Sequence, residues 1–391
     1  MKCLICKKEI KPFHIFEKKA LFNKPVESPE FGKTVDMGVG YCQECRHISS
    51  DVVEKPDWEE AEKTIYKELY DSWTPTNLSP SQKKYNETLF GWLKKMVPKG
   101  KILEIGCYDG SFLNLFKKDG WNCQGVEPSV GAKIAKEKYG LDVIGGFFEP
   151  GQFEKNTFDL VVVKHVIEHV SDPLEFSREA AAMVKEGGFL YIEVPNSYVS
   201  LYDRYFPEFH VDHLSYFTIP SIENLLQRIG GFEIVKLEST WAYMKFPFIH
   251  ILAKKTGKNN IENSCYLLDY SIEKSIEKFK EYYNIYLRNL KKIAQDSQKT
   301  AIWGTGSCGI QFSIDGDFKK DKTIVVDPNP ANEGKYLTVT SHLVYSPSVL
   351  KEKEIETLLV ATGWEDDAVK QIAEYVDKKV KIIKFIDLLK F

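Results

Sequence analysis

Residues 101–129 read KILEIGCYDGSFLNLFKKDGWNCQGVEPS and decide the fold of the middle of this chain. A short apolar run up to Ile105 leads into a glycine-bearing turn at 106–110, and the next residues predict an amphipathic helix over 111–118. A second apolar strand then ends on Glu127. Together these elements predict a βαβ unit, in which glycine lets a ligand approach the backbone. A carboxylate at the tip of the second strand suits a ribose, because it can accept from both hydroxyls.

The spacing of this turn differs from the dinucleotide fingerprint. It resembles motif I, with its following acid, of class I S-adenosylmethionine-dependent methyltransferases. The resemblance implies a ribose on Glu127 and an adenine near Phe147. An ordinary βαβ unit with a structural glycine is the alternative. The residues expected to bind the cofactor are Glu104, Gly106, Cys107, Tyr108, Asp109, Gly110, Glu127, Pro128, Phe147 and Lys164.

The chain has 391 residues and a formal net charge of −3, enough sequence for two or three domains with hydrophobic cores. This near balance of charge gives no general surface for a polyanion such as nucleic acid. No apolar run is long enough to cross a membrane, and the N-terminus MKCLIC lacks the apolar segment of a signal peptide. We therefore expect a cytoplasmic monomer or homodimer that acts on a small molecule, without nucleic-acid or membrane partners.

Four of the eight cysteines occur as two close pairs, Cys3-x-x-Cys6 and Cys42-x-x-Cys45. In a reducing compartment this spacing can wrap four thiolates tetrahedrally around zinc. Redox-active pairs are the alternative interpretation of the same spacing. Because four cysteines close the coordination shell, the sequence predicts a structural zinc site without a catalytic role.

The segment 51–99 is polar, rich in aromatic residues and predicted to be helical. The stretch 69–76, LYDSWTPT, combines aromatic and turn-forming residues, so it is the best candidate for a lid over the cofactor cleft. Within it, Tyr70 is a candidate substrate contact. The alternative is that these aromatic residues only pack in the protein core.

The run 158–163 is continuously apolar, as expected of a parallel strand buried on both faces. Since ligands bind beyond the carboxyl ends of such strands, Lys164 and His165 are expected to face the cleft. His169 follows one helical turn after His165 and could share its face. The sequence shows no obvious third ligand that would turn this pair into a metal site.

A turn at 185–188 and a strand at 189–196 continue the alternation of strand and helix, which predicts a doubly wound sheet. Soon after this strand, His210 and His213 flank Asp212. Histidine is the side chain with the most suitable pKa for taking a proton near neutrality, and an adjacent carboxylate can raise its basicity. A surface loop with coincidental histidines is the alternative.

The cysteine pairs, motif I, HVIEHVSDP, EVPN and FHVDHLSYFT occur in an order that resembles the zinc-binding sugar C-methyltransferases of deoxysugar biosynthesis. Those enzymes methylate a carbon next to the ketone of a nucleotide-linked keto-sugar. The resemblance implies that His213 holds the family's general-base position, that Asp212 is a shortened acid and that His210 replaces a tyrosine. The catalytic residues expected on this basis are His213, Asp212, His210 and His165.

The C-terminal third opens with a second strand–turn–helix pattern, TAIWGTGSCG at 300–309, and the next strand is expected to end at Asp327. Taken alone this is a Rossmann fingerprint and would suit a nicotinamide cofactor. It also resembles the C-terminal domain of the sugar methyltransferases, which implies a role in substrate recognition. The substrate-binding candidates are Tyr70, His169, Asn196, Gly304 and Gly306.

We therefore predict an α/β protein in five parts. These are a zinc-binding module at 1–60, a helical lid or linker at 61–98, a doubly wound Rossmann-like methyltransferase domain at 99–255, a helical linker at 256–298 and a smaller Rossmann-like domain at 299–391. The predicted reaction removes a proton alpha to a ketone through His213, giving an enolate that His165 or Lys164 stabilises. O-methylation by the same base stays open, as do a relative that binds without turnover and a nicotinamide-dependent enzyme.

Overall fold

The structure is a computed structural model that describes residues 1–30, 32–56, 58, 62–63, 78, 80–202, 204–240, 247–258, 266–296, 299–363 and 365–390. The lid candidate at 69–76, including Tyr70, lies outside the described residues. The chain divides into two compact units. Unit 1 comprises Met1–Pro12, Val39–Tyr198 and His213–Tyr270, and unit 2 comprises Phe13–Gly38, Val199–Asp212 and Ser271–Phe391. The five-part layout predicted from the sequence stays a prediction.

The α-helices of the described residues are α1 (Pro80–Met96), α2 (Ser111–Lys118), α3 (Gly131–Tyr139), α4 (Pro173–Met183), α5 (Ser197–Tyr202), α6 (Ile219–Ile229), α7 (Tyr266–Asp296), α8 (Ser307–Asp315) and α9 (Glu365–Ile372). None of these helices is long and apolar enough to cross a membrane.

The β-strands of the same residues are β1 (Pro12–Ala20), β2 (Thr34–Cys42), β3 (His47–Ser50), β4 (Lys101–Ile105), β5 (Asn122–Glu127), β6 (Asp142–Gly145), β7 (Phe158–Lys164), β8 (Val184–Pro195), β9 (Ser215–Tyr216), β10 (Phe232–Thr240), β11 (Phe248–Lys255), β12 (Thr300–Trp303), β13 (Thr323–Val326), β14 (Val344–Tyr345), β15 (Thr357–Val360) and β16 (Lys381–Ile383). The predicted helix at 111–118 and the strand ending on Glu127 are confirmed as α2 and β5.

The main sheet of unit 1 has seven strands in the order β10-β11-β8-β7-β4-β5-β6. Its strands are parallel except β11, which runs antiparallel to both β8 and β10. Strands β4 and β7 are adjacent, and the strand order reverses between them. Their apolar side chains are buried because helices cover both faces of such a sheet. The α/β class with a parallel, Rossmann-like sheet is thereby confirmed.

The smaller strands of unit 1 connect its first and last segments. β2 pairs with β3 at Cys42↔His47, and β3 pairs with β9 at Ile48↔Tyr216, both antiparallel. These pairings fix the backbone that immediately follows His213.

Unit 2 contains a five-stranded parallel sheet in the order β14-β13-β12-β15-β16. Its strand order also reverses at one position, between β12 and β15. A ligand crevice is therefore expected at the carboxyl ends of these two strands, by the same rule that applies to unit 1.

Two element boundaries differ from the sequence prediction. The turn predicted at 185–188 lies inside β8, which begins at Val184, and Gly187 takes a positive φ of 75° there. Pairing with β7 is interrupted between Val184 and Phe189, so these residues form an irregularity that the glycine permits. Helix α7 begins at Tyr266, ten residues after the first residue of the helical linker predicted at 256–298.

Candidate functional site

The candidate site lies at the carboxyl edge of the sheet in unit 1. β4 and β7 are parallel neighbours with Ile105 opposite Val163, so the turn after β4 and the residues after β7 emerge side by side. Crevices of this kind hold the ligand in open α/β sheets. The structure thus brings the motif I turn and Lys164–His165 together, as the sequence predicted.

Glu127 holds the turn in place. One of its carboxylate oxygens accepts the Tyr108 backbone N–H at 2.8 Å, and the other accepts the Ser129 backbone N–H at 2.9 Å. The side chain is buried, and each oxygen keeps lone-pair capacity beyond these bonds. The carboxylate therefore fixes the backbone around the position expected for a ribose.

The glycines of the turn are required by the fold itself. Gly106 and Gly110 have φ values of 75° and 74°, which only glycine adopts at low cost. A Cβ on Gly110 would also lie 2.7 Å from the Ala135 Cβ, and one on Gly106 would lie 2.4 Å from a Val166 methyl. These contacts explain both glycines without any ligand, so the ligand-approach argument from the sequence stays a prediction.

The remaining cofactor candidates line the same edge with different exposure. Asp109 accepts the N–H of Ser111, the first residue of α2, at 2.9 Å, while Phe147 is half exposed beyond β6. Pro128 is partly buried, and burial raises the pKa of the Cys107 thiol. The half-exposed ring can stack on an adenine, which fits the cofactor expected here.

Two ionisable side chains, Glu104 and Lys164, lie near the turn. Burial raises the pKa of Glu104 to about 8, and its Oε2 has no hydrogen-bond partner. Lys164 donates to the Asn86 side chain at 3.1 Å and lies 4.6 Å from the centre of the Phe112 ring. Glu104 is therefore mostly protonated at neutral pH, whereas the Lys164 ammonium is held over an aromatic face.

His165 forms ion pairs with two buried carboxylates. It takes a positive φ of 53°, and its Nε2 lies 2.9 Å from Glu193 and its Nδ1 3.4 Å from Glu168. Although burial alone would lower the pKa of His165, the two carboxylates raise it to about 9. The imidazole is thus protonated at neutral pH, so it can stabilise a negative charge but not act as a base.

Glu193 accepts hydrogen bonds from tyrosine hydroxyl groups on two elements, α1 and β8. The Tyr85 and Tyr191 hydroxyls each donate to its Oε2 at 2.6 Å, and His250 Nδ1 lies 3.3 Å from the same atom. Burial would raise the pKa of Glu193, but His165 and His250 lower it well below its usual range. The result is a buried, ionised carboxylate at the carboxyl end of β8.

His213 contacts His169, with ring centres 4.8 Å apart. Glu168 lies beside both, and the ligand-type atoms of the three residues fall within 4.8 Å of one another. Burial would raise the pKa of Glu168, but His165, His169 and His213 lower it. The sequence grouped His169 with His165, whereas the structure groups it with His213.

His210 and Asp212 belong to unit 2, while His213 belongs to unit 1. The His210 imidazole forms a short contact with the Asp212 carboxylate, which also accepts from the Asn23 side chain. Burial would lower the pKa of His210, yet Asp212 raises it. Within unit 2, Asp212 therefore acts as the counterion of His210.

Asn196 is used structurally in unit 1. Its side chain donates to Ser239 at 2.8 Å and accepts the Tyr198 N–H at 3.2 Å, and it is buried. These bonds hold the start of α5. A role in substrate binding stays a prediction.

In unit 2, the turn after β12 resembles the motif I turn in detail. Asp327 accepts the Thr305 N–H at 3.0 Å and the Asn329 N–H at 2.8 Å. A Cβ on Gly304 would lie 2.6 Å from the Ala361 carbonyl oxygen, whereas one on Gly306 would meet nothing within 4 Å. Gly304 is thus needed for packing, and Gly306 leaves open space at the start of α8.

The four predicted zinc ligands come together in unit 1. The Sγ atoms of Cys3, Cys6, Cys42 and Cys45 lie within 4.8 Å of one another, and those of Cys6 and Cys42 are 3.7 Å apart. Tetrahedral coordination at ordinary Zn–S lengths places sulfurs about 3.8 Å apart. The Cys45 N–H also points to the Cys42 sulfur at 3.4 Å. This donor set fits zinc.

Sequence reasoning missed the carboxylate Glu168 and the group around Glu193 that includes Tyr85, Tyr191 and His250. A charged residue inside the apolar strand 189–195 was a signal for Glu193, because buried carboxylates need partners. Tyr85 and His250 come from α1 and β11, which no local spacing could reveal.

Residues 81–237 match the model of a family described as a methyltransferase domain. A ubiquinone biosynthesis O-methyltransferase of Vibrio parahaemolyticus is 31% identical over 109 residues, covering 26% of this chain and 46% of the relative. The Methanocaldococcus jannaschii protein MJ1123 is 34% identical over 131 residues, covering 33% of this chain and 58% of the relative. The chain thus spans about half the length of the curated relatives it matches.

Two solved structures are similar to part of the chain. A possible histamine N-methyltransferase from Thermotoga maritima has 21% identity and a TM-score of 0.36, covering 51% of this chain and 97% of its own. Magnesium protoporphyrin IX methyltransferase from Synechocystis with bound S-adenosylhomocysteine has 13% identity and a TM-score of 0.38, covering 53% and 100%. Residues 81–237 are thus similar to a methyltransferase domain, and the domain bounds expected from the sequence stay a prediction.

Proposed function

We propose that the chain is a class I S-adenosylmethionine-dependent methyltransferase that acts on a nucleotide-linked keto-sugar, with His213 as the proton acceptor. The observation that carries the proposal is the edge of unit 1, where the motif I turn and the residues after β7 emerge side by side. The resemblance of FHVDHLSYFT and the cysteine pairs to sugar C-methyltransferases supports the substrate class. A cytoplasmic monomer or homodimer is part of the same proposal.

The residues at this edge fit S-adenosylmethionine. The Glu127 carboxylate would take the ribose hydroxyls, the half-exposed Phe147 ring would stack on the adenine, and the 106–110 turn would lie under the sulfonium portion. When bound, the cofactor supplies an electrophilic methyl group. The protein's part is to orient the acceptor atom and to move its proton.

The proton goes to His213. Removal of the hydrogen alpha to the ketone leaves the electron pair on the sugar as an enolate, whose carbon then takes the methyl group. His165 stays protonated between Glu168 and Glu193, so its positive charge can stabilise the developing oxyanion. Lys164 is the second cation at this edge.

O-methylation is the second candidate, favoured by the relatives named as ubiquinone biosynthesis O-methyltransferases. In that case His213 would take a hydroxyl proton instead of a carbon-bound one. The substrate would then be a hydroxylated small molecule, and the other roles at the edge would not change.

A panel of nucleotide-linked keto-sugars and hydroxylated acceptors, incubated with S-adenosylmethionine, separates these cases by mass spectrometry. We expect a keto-sugar to gain the mass of one methylene group, with the new methyl on carbon by NMR. Methylation of oxygen acceptors alone would overturn the sugar proposal. A protein that fails to bind S-adenosylmethionine would overturn the enzyme assignment itself.

We further infer that the four cysteines hold a structural zinc ion. Metal analysis of the purified chain is expected to find zinc at this site, and Cys42→Ser should lose that zinc together with thermal stability of unit 1. Ser177→Ala, a buried substitution in unit 1 away from the cysteines, is the control that should retain the zinc. Full retention of zinc in Cys42→Ser would contradict the assignment.

A further inference from the structure

We propose that Glu168, His169 and His213 form a second metal site, which takes a divalent transition-metal ion. Glu168 and His169 lie on the 3₁₀ turn Ile167–His169 after β7, and His213 lies two residues before β9. Their ligand-type atoms fall within 4.8 Å of one another. The site is separate from the four cysteines and does not depend on methyl transfer.

Backbone hydrogen bonds hold the two ligand-bearing segments together. The Leu214 N–H donates to the Glu168 carbonyl at 2.8 Å, and the Ser50 N–H donates to the Leu214 carbonyl at 2.9 Å. The pairing of β9 with β3 continues this connection. The three side chains therefore start from a fixed backbone, which lowers the entropy cost of gathering them around an ion.

The buried carboxylate provides an independent indication. Glu168 is 1% exposed, and its Oε2 has no hydrogen-bond partner, although Oε1 lies 3.4 Å from His165. A buried carboxylate oxygen without a partner is costly unless a cation or a donor meets it. An ion between Oε2 and the two imidazoles would meet that need, while His165 would orient the carboxylate from behind.

The donor set selects the kind of ion. Two imidazoles and one carboxylate suit zinc, cobalt, iron or nickel better than magnesium or calcium, which prefer oxygen ligands. Three protein ligands also leave a coordination position open, in contrast to the closed shell of four thiolates. An ion here would occupy the His213 lone pair that takes the proton in the proposed reaction, so His213 would act as the base only in the ion-free chain and a bound ion would inhibit methyl transfer.

Cobalt(II) titration of the full chain tests this site, because cobalt spectra report ligand type. Thiolate ligands give sulfur-to-cobalt charge-transfer absorption in the near ultraviolet, and imidazole or carboxylate ligands give only visible ligand-field bands. We expect the full chain to bind one more equivalent of cobalt than His169→Asn or Glu168→Gln, with the loss confined to the visible bands. His342→Asn, which removes an imidazole from unit 2, should bind as the unchanged chain does.

Equal cobalt binding by the unchanged chain and both variants would overturn the proposal, as would a lost component that carries sulfur charge transfer. Two variants are used because either could fold poorly, and circular dichroism with S-adenosylmethionine titration checks each. Failure of the cofactor to bind an otherwise folded chain would count against the proposed function and not against the metal site. The two proposals can therefore fail separately.

Discussion

The two units carry the same turn beside different neighbours. In unit 1, Glu127 accepts backbone N–H groups from Tyr108 and Ser129; in unit 2, Asp327 accepts them from Thr305 and Asn329. Glu127 is the last residue of β5, and Asp327 directly follows β13. In both units this acid holds the turn against the edge of the sheet. The acid after a strand–turn–helix therefore stabilises the backbone of the turn in both units. Its presence alone does not identify a ligand.

The two turns differ in the residues that follow the neighbouring parallel strand, which is β7 in unit 1 and β15 in unit 2. Beside the unit 1 turn, β7 ends at Lys164 and is followed by His165, and the next strand adds Glu193. Beside the unit 2 turn, β15 ends at Val360 and is followed by Ala361, and the Asp327 carboxylate also accepts a hydrogen bond from the Thr305 hydroxyl. These neighbours are the reason for proposing that methyl transfer takes place in unit 1.

Substitution of His213 should give the largest effect. His213→Gln removes the proposed proton acceptor, and general-base catalysis contributes about 100- to 10,000-fold. We expect kcat to fall by that order while S-adenosylmethionine still binds, in assays that follow methyl transfer. Asp327→Asn in the unit 2 turn is the matched control and should change kcat little. Full activity in His213→Gln would show that His213 is not the general base.

The packing of the unit 2 turn can be tested by stability. A Cβ on Gly309 would lie 1.9 Å from the Gly304 carbonyl oxygen, whereas one on Gly306 would meet nothing within 4 Å. We expect Gly309→Ala to lower the free energy of unfolding by about 3 kcal/mol, the upper range for overpacking, and Gly306→Ala to cost less than about 1 kcal/mol. Chemical denaturation of both variants gives the comparison. Similar losses in the two would contradict the packing argument.

The carboxylate of the unit 1 turn should control cofactor affinity. Glu127→Gln weakens bonds to two backbone N–H groups and to the proposed ribose, and bonds to charged groups are worth about 1.5–3 kcal/mol. This corresponds to roughly a 10- to 100-fold rise in the Kd for S-adenosylmethionine by calorimetry. Asp327→Asn, the equivalent change in unit 2, should leave Kd unchanged. A higher Kd in Asp327→Asn, with an unchanged Kd in Glu127→Gln, would indicate that the cofactor binds in unit 2.

The smallest effect concerns pH. Burial lowers the pKa of His342 in unit 2 from 6.5 to about 4, so its contribution to stability is fully present above pH 6.5 and is lost as the pH falls towards 4. At pH 5.5 the linked loss is about 1 kcal/mol. His342→Asn should therefore flatten the decrease in unfolding free energy between pH 6.5 and 4. An unchanged pH profile would show that His342 is not buried neutral.

Local sequence pattern was sufficient for the elements that surround each turn. The run 101–129 predicted β4, α2 and β5 because apolar periodicity and glycine position are local properties. The partners of Glu193 and the contact of His169 with His213 were not predictable, since they depend on the antiparallel return of β11 and on the pairing of β9 with β3. The spacing of residues along the chain does not indicate which distant strands pair with each other.

The most direct test of the central assignment is a crystal structure of the full chain with S-adenosylhomocysteine. We expect the ligand over residues 106–110, with its ribose hydroxyls on Glu127 and its adenine against Phe147. Ligand bound at the turn of residues 304–309, with its ribose on Asp327, would contradict the assignment of the chemistry to unit 1.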